Sequence, residues 1–443
     1  MARISLTWLR KLGQMDTCKR TEHSTLSLES PESPPQEPRA PATLLSLPDE
    51  LLAHILELAV ERKGPYLAPV CSRFRMLVRE IAFRNIDIWT HATMHTFMST
   101  LADSDASIGE VVRSVVCYAH DDTDQPESEM HCDLTLAQTA LSRLPNLESL
   151  ELHWVQCLTH ALLNLDASQH LQCLSTFAFT FPDRATTLSD LSALAHLPAL
   201  DALDVYIETR NLPTFVPSPA GAALPRITSL RLAGGLVPSP ALTALVALMP
   251  SVTRLALSNK DSYRPRERDV SFLLMQLLPA PEKLESLTVT GESFYPPLTL
   301  SLSPVAGSPS SAPANPFARL TKLTDVTIEG DTIRPDPLRD ALAALPALER
   351  LALRGGAGDA MQESALGTAD VLSLLDPVSA AEAGSSCYCA KLRTLEIDVA
   401  LVDEADEAAC GGVSVTGIAL VKAVADRVGV ACCGRAFEAG CGT

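Results

Sequence analysis

Basic side chains and aromatic rings are both in short supply in this chain. Lys and Arg number 35 against 53 Asp and Glu, a net charge of −18 over 443 residues, which is the wrong sign for a surface that tracks a phosphate backbone. Nucleic acid is therefore not an expected partner. Phe, Trp and Tyr make up only 5% of the residues, too few for sheets built on aromatic cross-strand pairs, while the 47% that are hydrophobic can fill a large aliphatic core. Long apolar runs are missing too. Residues 233–253 and 293–318 carry no charge, but prolines interrupt both, Pro238, Pro240 and Pro250 in the first. A spanning helix needs about 20 apolar residues in a row, so no membrane partner is expected.

The motifs of common chemistries are absent as well. There is no P-loop, dinucleotide fingerprint, G-x-S-x-G elbow or H-E-x-x-H pair. His131-Cys132-Asp133 places three reactive types side by side, yet adjacent residues point in different directions and imply no triad. The twelve cysteines include no C-x2-C pair. With no signal-peptide pattern ahead of them they are expected to be reduced thiols, in a chain of the cytoplasm, the nucleus or both. We expect a non-catalytic protein with no catalytic residue, no metal and no cofactor. An enzyme or metal protein using the late cysteines, Cys387, Cys389, Cys410, Cys432, Cys433 and Cys441, is the alternative from another class.

Residues 1–43 hold Arg3, Arg10, Lys11, Lys19 and Arg20 and then a Pro/Glu-rich stretch, and read as a disordered arm and linker. From Leu44 the pattern becomes helical. Ser46 and Asp49 stand at capping-box spacing, Pro48 suits a first turn, and Leu51, Leu52, Ile55, Leu56 and Ala59 form an apolar face. Gly64-Pro65 should end this helix. A second helical series follows in Val70, Cys71, Phe74, Leu77, Val78 and Ile81, with Arg73, Arg75 and Arg79 at positions expected to be exposed.

Leu47-Pro48-Asp49-Glu50-Leu51-Leu52 and Val70-Cys71-Ser72-Arg73-Phe74-Arg75-Met76-Leu77 together resemble the F-box family, whose pattern is Leu-Pro-x-Glu-Leu-Leu followed by Val-Cys-Arg-x-Phe/Trp-x-x-Leu. The resemblance covers residues 44–88. It implies docking to a Skp-family adaptor and, through it, to the cullin of a ubiquitin ligase. The docking candidates are Leu47, Pro48, Leu51, Leu52, Ile55, Val70 and Phe74, some of which must instead form the segment's own core.

Beyond this, one pattern recurs: Leu-x-x-Leu-x-x-Leu-x-Leu, with other aliphatic residues substituting. Leu144/Leu147/Leu150/Leu152 is the clearest copy. The second position falls at 147, 174, 200, 227, 252, 284, 323, 348 and 392, so the base period is about 26 and longer spacings mark insertions. One insertion holds the Pro/Ser tract at 301–316. A diverged copy stands at Val112/Val115/Cys117. This resembles the leucine-rich repeat, whose length is about 20–29 residues.

The expected fold class is α/β: a short helical domain at 44–88, then an irregular solenoid at 89–409 with parallel strands inside and helices outside, then a Cys/Gly-rich segment at 410–443. Leu188/Leu191/Leu194/Ala195, Leu242/Leu245/Val246/Met249 and Leu338/Ala341/Leu342/Leu345 have helical spacing between strands. The asparagine or cysteine many such repeats keep after the last Leu is replaced by Val155, Pro182, Glu208, Gly235 and Lys260, so that side-chain ladder is absent.

In such a repeat Leu-x-Leu sends two side chains inward, and the strand residues that alternate with them face the concave surface. These include His153, Tyr206, Arg231, Arg254, Arg350 and Arg354, the candidate contacts for an unknown protein target. Arg231 and Arg254, on adjacent repeats, would form a basic pocket for an acidic segment, or be paired with Asp or Glu. The function these features imply is that of the target-recognition subunit of a ubiquitin ligase. The alternative within the same fold is an interaction scaffold outside any ligase.

Overall fold

A computed structural model describes residues 47–63, 71–103, 108–118, 133–153, 155–165, 170–180, 191–207, 223–234, 240–259, 281–291, 319–329, 345–354, 363–367, 371–372, 375, 391–398, 400–402, 421–426 and 429–433. The chain divides into two compact units, Met1–Leu174 and Ser175–Thr443.

The first unit opens with two helices, α1 (Asp49–Lys63) and α2 (Ser72–Arg84). Leu52 and Leu56, four apart on α1, pack on Phe74 and Val78, four apart on α2, with Cys71, Leu77 and Ile81 against them. Asp49 and Glu50 sit where the amide dipoles favour negative charge, and α1 ends at Lys63, just before Gly64-Pro65, as the breaker predicts. Ser46 lies outside the described residues. Cys71 caps α2, its Sγ accepting the Phe74 N–H at 3.4 Å. Arg73 is not simply exposed: its Nε donates to Asp49 Oδ1 at 2.7 Å and its Nη2 to the Leu47 carbonyl at 2.6 Å, tying the start of α1 to α2.

Helix α2 passes directly into a strand. Strand β1 (Asn85–Ile88) pairs in parallel with β2 (Ser114–Tyr118), and β2 with β3 (Ser149–His153), in the register Ile86↔Val115↔Leu150 and Ile88↔Cys117↔Leu152. The parallel ladder thus begins inside the residues that sequence assigns to the helical segment. Between the strands run α3 (His91–Asp103) and α4 (Leu134–Ser142), and α5 (Gln156–Leu163) follows β3. Asp133 accepts the N–H groups of Thr135 and Leu136 at 2.9 and 3.3 Å, so its role in the His131-Cys132-Asp133 triplet is helix capping. Val155 is buried at the start of α5; Pro182, Glu208, Gly235 and Lys260 lie outside the described residues.

The second unit is a ladder of parallel strands in chain order: β4 (Thr176–Thr180), β5 (Ala202–Ile207), β6 (Ser229–Gly234), β7 (Arg254–Asn259), β8 (Ser286–Gly291), β9 (Asp325–Glu329), β10 (Arg350–Arg354), β12 (Thr394–Asp398) and β14 (Ala431–Cys433). Strands β11 (Glu363–Gly367) and β13 (Ala400–Val402) form a separate parallel pair. Each Leu-x-Leu pair is in register with the next, as in Leu203↔Leu230↔Leu255↔Leu287↔Val326↔Leu351↔Leu395, and all of these are buried.

Two backbone devices repeat with the sequence. The carbonyl at the first Leu position accepts the N–H at the second, as in Leu147 to Leu144, Ile227 to Leu224 and Leu348 to Leu345, at 3.3–3.4 Å. And the residue just ahead of each strand offers its carbonyl to two N–H groups of the next repeat: Ser175, Asp201, Thr228, Thr253, Glu285, Thr324 and Glu349 do so at 2.8–3.1 Å. Both lone pairs of one carbonyl are used, so this rail of backbone bonds joins the repeats without the missing asparagine ladder.

Insertions leave register intact: Arg254↔Ser286↔Asp325 and Arg350↔Thr394 remain aligned across the long spacings. The tract at 301–316 lies outside the described residues. Of the three helices expected between strands, 240–247 is α-helical (α6, Pro240–Ala247) and 192–196 is a 3-10 turn (Ser192–His196); residues 338–344 lie outside the described residues. At the other end, Leu395↔Cys432 extends the ladder past residue 409.

Candidate interaction surfaces

The docking candidates on the helix pair fall into two sets. Leu52 and Phe74 are core. Leu51 is 56% exposed and Ile55 41% exposed, and these two, four apart, share one face of α1; Pro48, just ahead of α1, is exposed as well. Leu47 is half-buried and holds Arg73 through its carbonyl. Val70 lies outside the described residues. Met76 on α2, 67% exposed, is an apolar residue that sequence periodicity did not single out, because it lies off the Phe74/Leu77/Val78/Ile81 stripe.

On the strand face of the second unit the arginines are mostly engaged. Arg350 lies 3.4 Å from Asp325 and 3.1 Å from Glu396, and Arg354 lies 2.8 Å from Glu396, so one carboxylate bridges two arginines across β10 and β12. Burial would raise the Glu396 carboxyl, but the hydrogen bonds and charges of Arg354 and Arg350 outweigh it and hold the group below the usual carboxylate range. Arg254 is 3.7 Å from Asp201. Register sets Arg231 opposite Asp204 and Ala256, while Arg254 lies opposite Ser229. The two arginines are therefore diagonal rather than facing, and the paired reading describes Arg254. Tyr206 is half-buried, opposite Thr180 and Ala233.

The first unit presents a different face. Trp89, Tyr118 and His153 each follow the second inward residue of their strand. Register stacks them: Trp89 and Tyr118 have ring centroids 4.7 Å apart at 18°, Tyr118 and His153 4.5 Å apart at 2°. The row beside them is Asp87, Val116 and Glu151. Glu151 approaches His153 Nε2 at 3.7 Å. Burial, then the charges of Glu151 and Asp87, raise the Tyr118 phenol above its ordinary value. Of the three rings only His153 belongs to a repeat that the leucine pattern marks clearly. The signal for the others was an aromatic residue directly after Ile86-x-Ile88 and Val115-x-Cys117, legible only once those strands are aligned.

In both units a period of about 26 residues, a turn from first to second Leu, a parallel strand with two buried aliphatics and a backbone rail to the next copy recur together. The repeating unit is a leucine-rich repeat. The fold is a leucine-rich-repeat solenoid of α/β class with helices outside. No family model and no curated protein matches the chain.

Among solved structures the chain is similar to the protein in the TLR13–ssRNA13 complex, at 14% identity and TM-score 0.35, over 73% of this chain and 41% of that one. It is also similar to the leucine-rich repeat-containing protein LegL7 of Legionella pneumophila, at 14% identity and TM-score 0.31, over 61% and 90%. A third is a leucine-rich-repeat protein of Leptospira interrogans, at 12% identity and TM-score 0.18, over 73% and 85%. The chain thus spans less than half the length of the first of these structures. No helix among the described residues is long and apolar enough to cross a membrane.

Proposed function

We propose that the chain is the target-recognition subunit of an SCF-type cullin–RING ubiquitin ligase. Helices α1 and α2 dock a Skp-family adaptor, and the leucine-rich repeats hold a protein target. The chain is non-catalytic and contributes proximity, raising the effective concentration of target lysines near the conjugating enzyme, in the cytoplasm, the nucleus or both. The observation that carries this reading is the split within one motif. Leu52 and Leu56 fill the core while Leu51 and Ile55 on the same helix, with Pro48 just ahead of it, leave apolar groups in water, and large apolar side chains clustered in water are a common mark of a protein interface.

Purification of the tagged full chain from cells, with quantitative mass spectrometry, tests it. A Skp-family adaptor and a cullin should be recovered in near-stoichiometric amount. Recovery of neither, in cells where a known F-box protein recovers both, would leave the chain as an interaction scaffold outside a ligase.

A further inference from the structure

The strand face of the first unit is unusual in this chain for what it gathers. Aromatic residues are only 5% of the sequence, yet Trp89, Tyr118 and His153 stack ring on ring at the ends of three successive strands, and Trp89 is 50% exposed. A tryptophan half in water is an interface signature rather than a core one. On the neighbouring row Asp87 and Glu151 flank Val116, two strand spacings apart, about 10 Å, with the short side chain of Val116 leaving a low spot between two carboxylates. The third row on this face, Asn85, Ser114 and Ser149, is neutral, so no position of the three rows carries Lys or Arg. Arg113, one residue ahead of β2, is turned to the Asn146 carbonyl at 3.1 Å and to Glu148 at 3.7 Å.

We propose that this face binds an arginine-containing segment of the protein target, the guanidinium lying over Val116 between Asp87 and Glu151 with its stem along the Trp89–Tyr118–His153 stack. The charge is complementary on the partner's side, and the guanidinium suits both halves of the site. Its plane packs on ring faces and edges, and its fork matches carboxylate oxygens, which the compact and strongly hydrated lysine ammonium does less well. Glu151 and Asp87 are both near enough to act on the Tyr118 phenol, adding to the larger effect of its burial. The rings are already stacked on one another, so binding orders few side chains. The two carboxylates argue against single-stranded RNA, which would otherwise stack on such rings. This inference rests on the reading that the repeats hold a protein target, and it names the chemistry of that target.

The test uses the full chain and a fluorescein-labelled dodecapeptide with three arginines spaced by Gly and Ser, read by fluorescence anisotropy at near-physiological salt. Counterparts carry lysine, neutral citrulline or glutamate, and a labelled twelve-nucleotide single-stranded RNA is titrated alongside. The arginine peptide should bind at least tenfold tighter than the citrulline and glutamate peptides and about threefold tighter than the lysine one. Trp89→Leu, which removes the ring but keeps an apolar group, and the isosteric pair Asp87→Asn with Glu151→Gln should each weaken it at least fivefold. Lys283→Gln, in the other unit and outside the candidate contacts, should leave it unchanged.

Equal binding of the citrulline peptide would overturn the proposal. So would arginine binding indifferent to both sets of variants, or RNA binding that depends on Trp89 while the peptide does not bind. Adaptor docking measured on the same samples separates the two readings. Docking without peptide binding overturns this site and leaves the ligase assignment, while peptide binding without docking does the reverse.

Discussion

Gly234 stands at the end of β6 with φ +95°, and a Cβ placed there would lie 2.2 Å from the Ile207 carbonyl oxygen of the neighbouring repeat. No side chain fits without moving backbone, so Gly234→Ala should cost about 2–4 kcal/mol of stability, combining left-handed strain with overpacking. A urea midpoint unchanged from the parent chain would show that the repeats can separate there at no cost. Cys117 behaves in the opposite sense. It is buried in the Ile88–Cys117–Leu152 row, and desolvation pushes its thiol up to about 12, so it should resist alkylation in the native state at neutral pH, where the thiolate is the reactive form. Cys173 is exposed and should label first among the described thiols; mass mapping after brief iodoacetamide treatment reads the order. Rapid native labelling of Cys117 would contradict the packing.

Where elements meet, Glu396 makes the β10–β12 ladder sensitive to acid. Its folded pKa is depressed by the two arginines, so its contribution to stability is present above the unfolded value of about 4.3 and is lost as pH falls through the lower folded one. The melting temperature of the parent chain should exceed that of Glu396→Gln at pH 7, with the gap closing between about pH 4 and the onset of acid unfolding. A gap that widens with acid would reverse the assignment.

The strands around this network were legible in sequence because two inward aliphatics at spacing two make a local signal, and Leu351/Leu353 and Leu395/Ile397 sit where it places them. Strand β1 was not, since Asn85-Ile86-Asp87-Ile88 follows a helix without a breaker, and β14 uses Cys432 where a leucine is expected. The aromatic stack was hidden for a different reason. Trp89, Tyr118 and His153 are 29 and 35 residues apart in sequence, and only strand register makes them neighbours. The division of the docking motif into core and exposed positions likewise depends on where α2 packs, which a single amphipathic pattern does not specify.

Across the whole molecule the ladder tolerates uneven spacing because closure of longer loops adds little entropy cost. The 39-residue step between the second Leu positions of the β8 and β9 repeats contains 301–316, yet β8 and β9 pair from Ser286↔Asp325 to Thr290↔Glu329 without a shift. Deletion of that tract should therefore move the melting temperature by less than about 5 °C; a larger drop would mean that it packs on the repeats. The repeat ladder supplies a regular frame of parallel strands, and the role proposed for the chain depends on adaptor docking by the first helix. The most direct measurement is calorimetric titration of the full chain with a purified Skp-family adaptor, parent against Leu51→Asp/Ile55→Asp. Both residues are exposed, so the variant should keep the parent's circular dichroism and melting temperature while losing about 2 kcal/mol or more of binding, roughly 30-fold. Binding of equal strength by the two proteins, or none by the folded parent, would contradict the account.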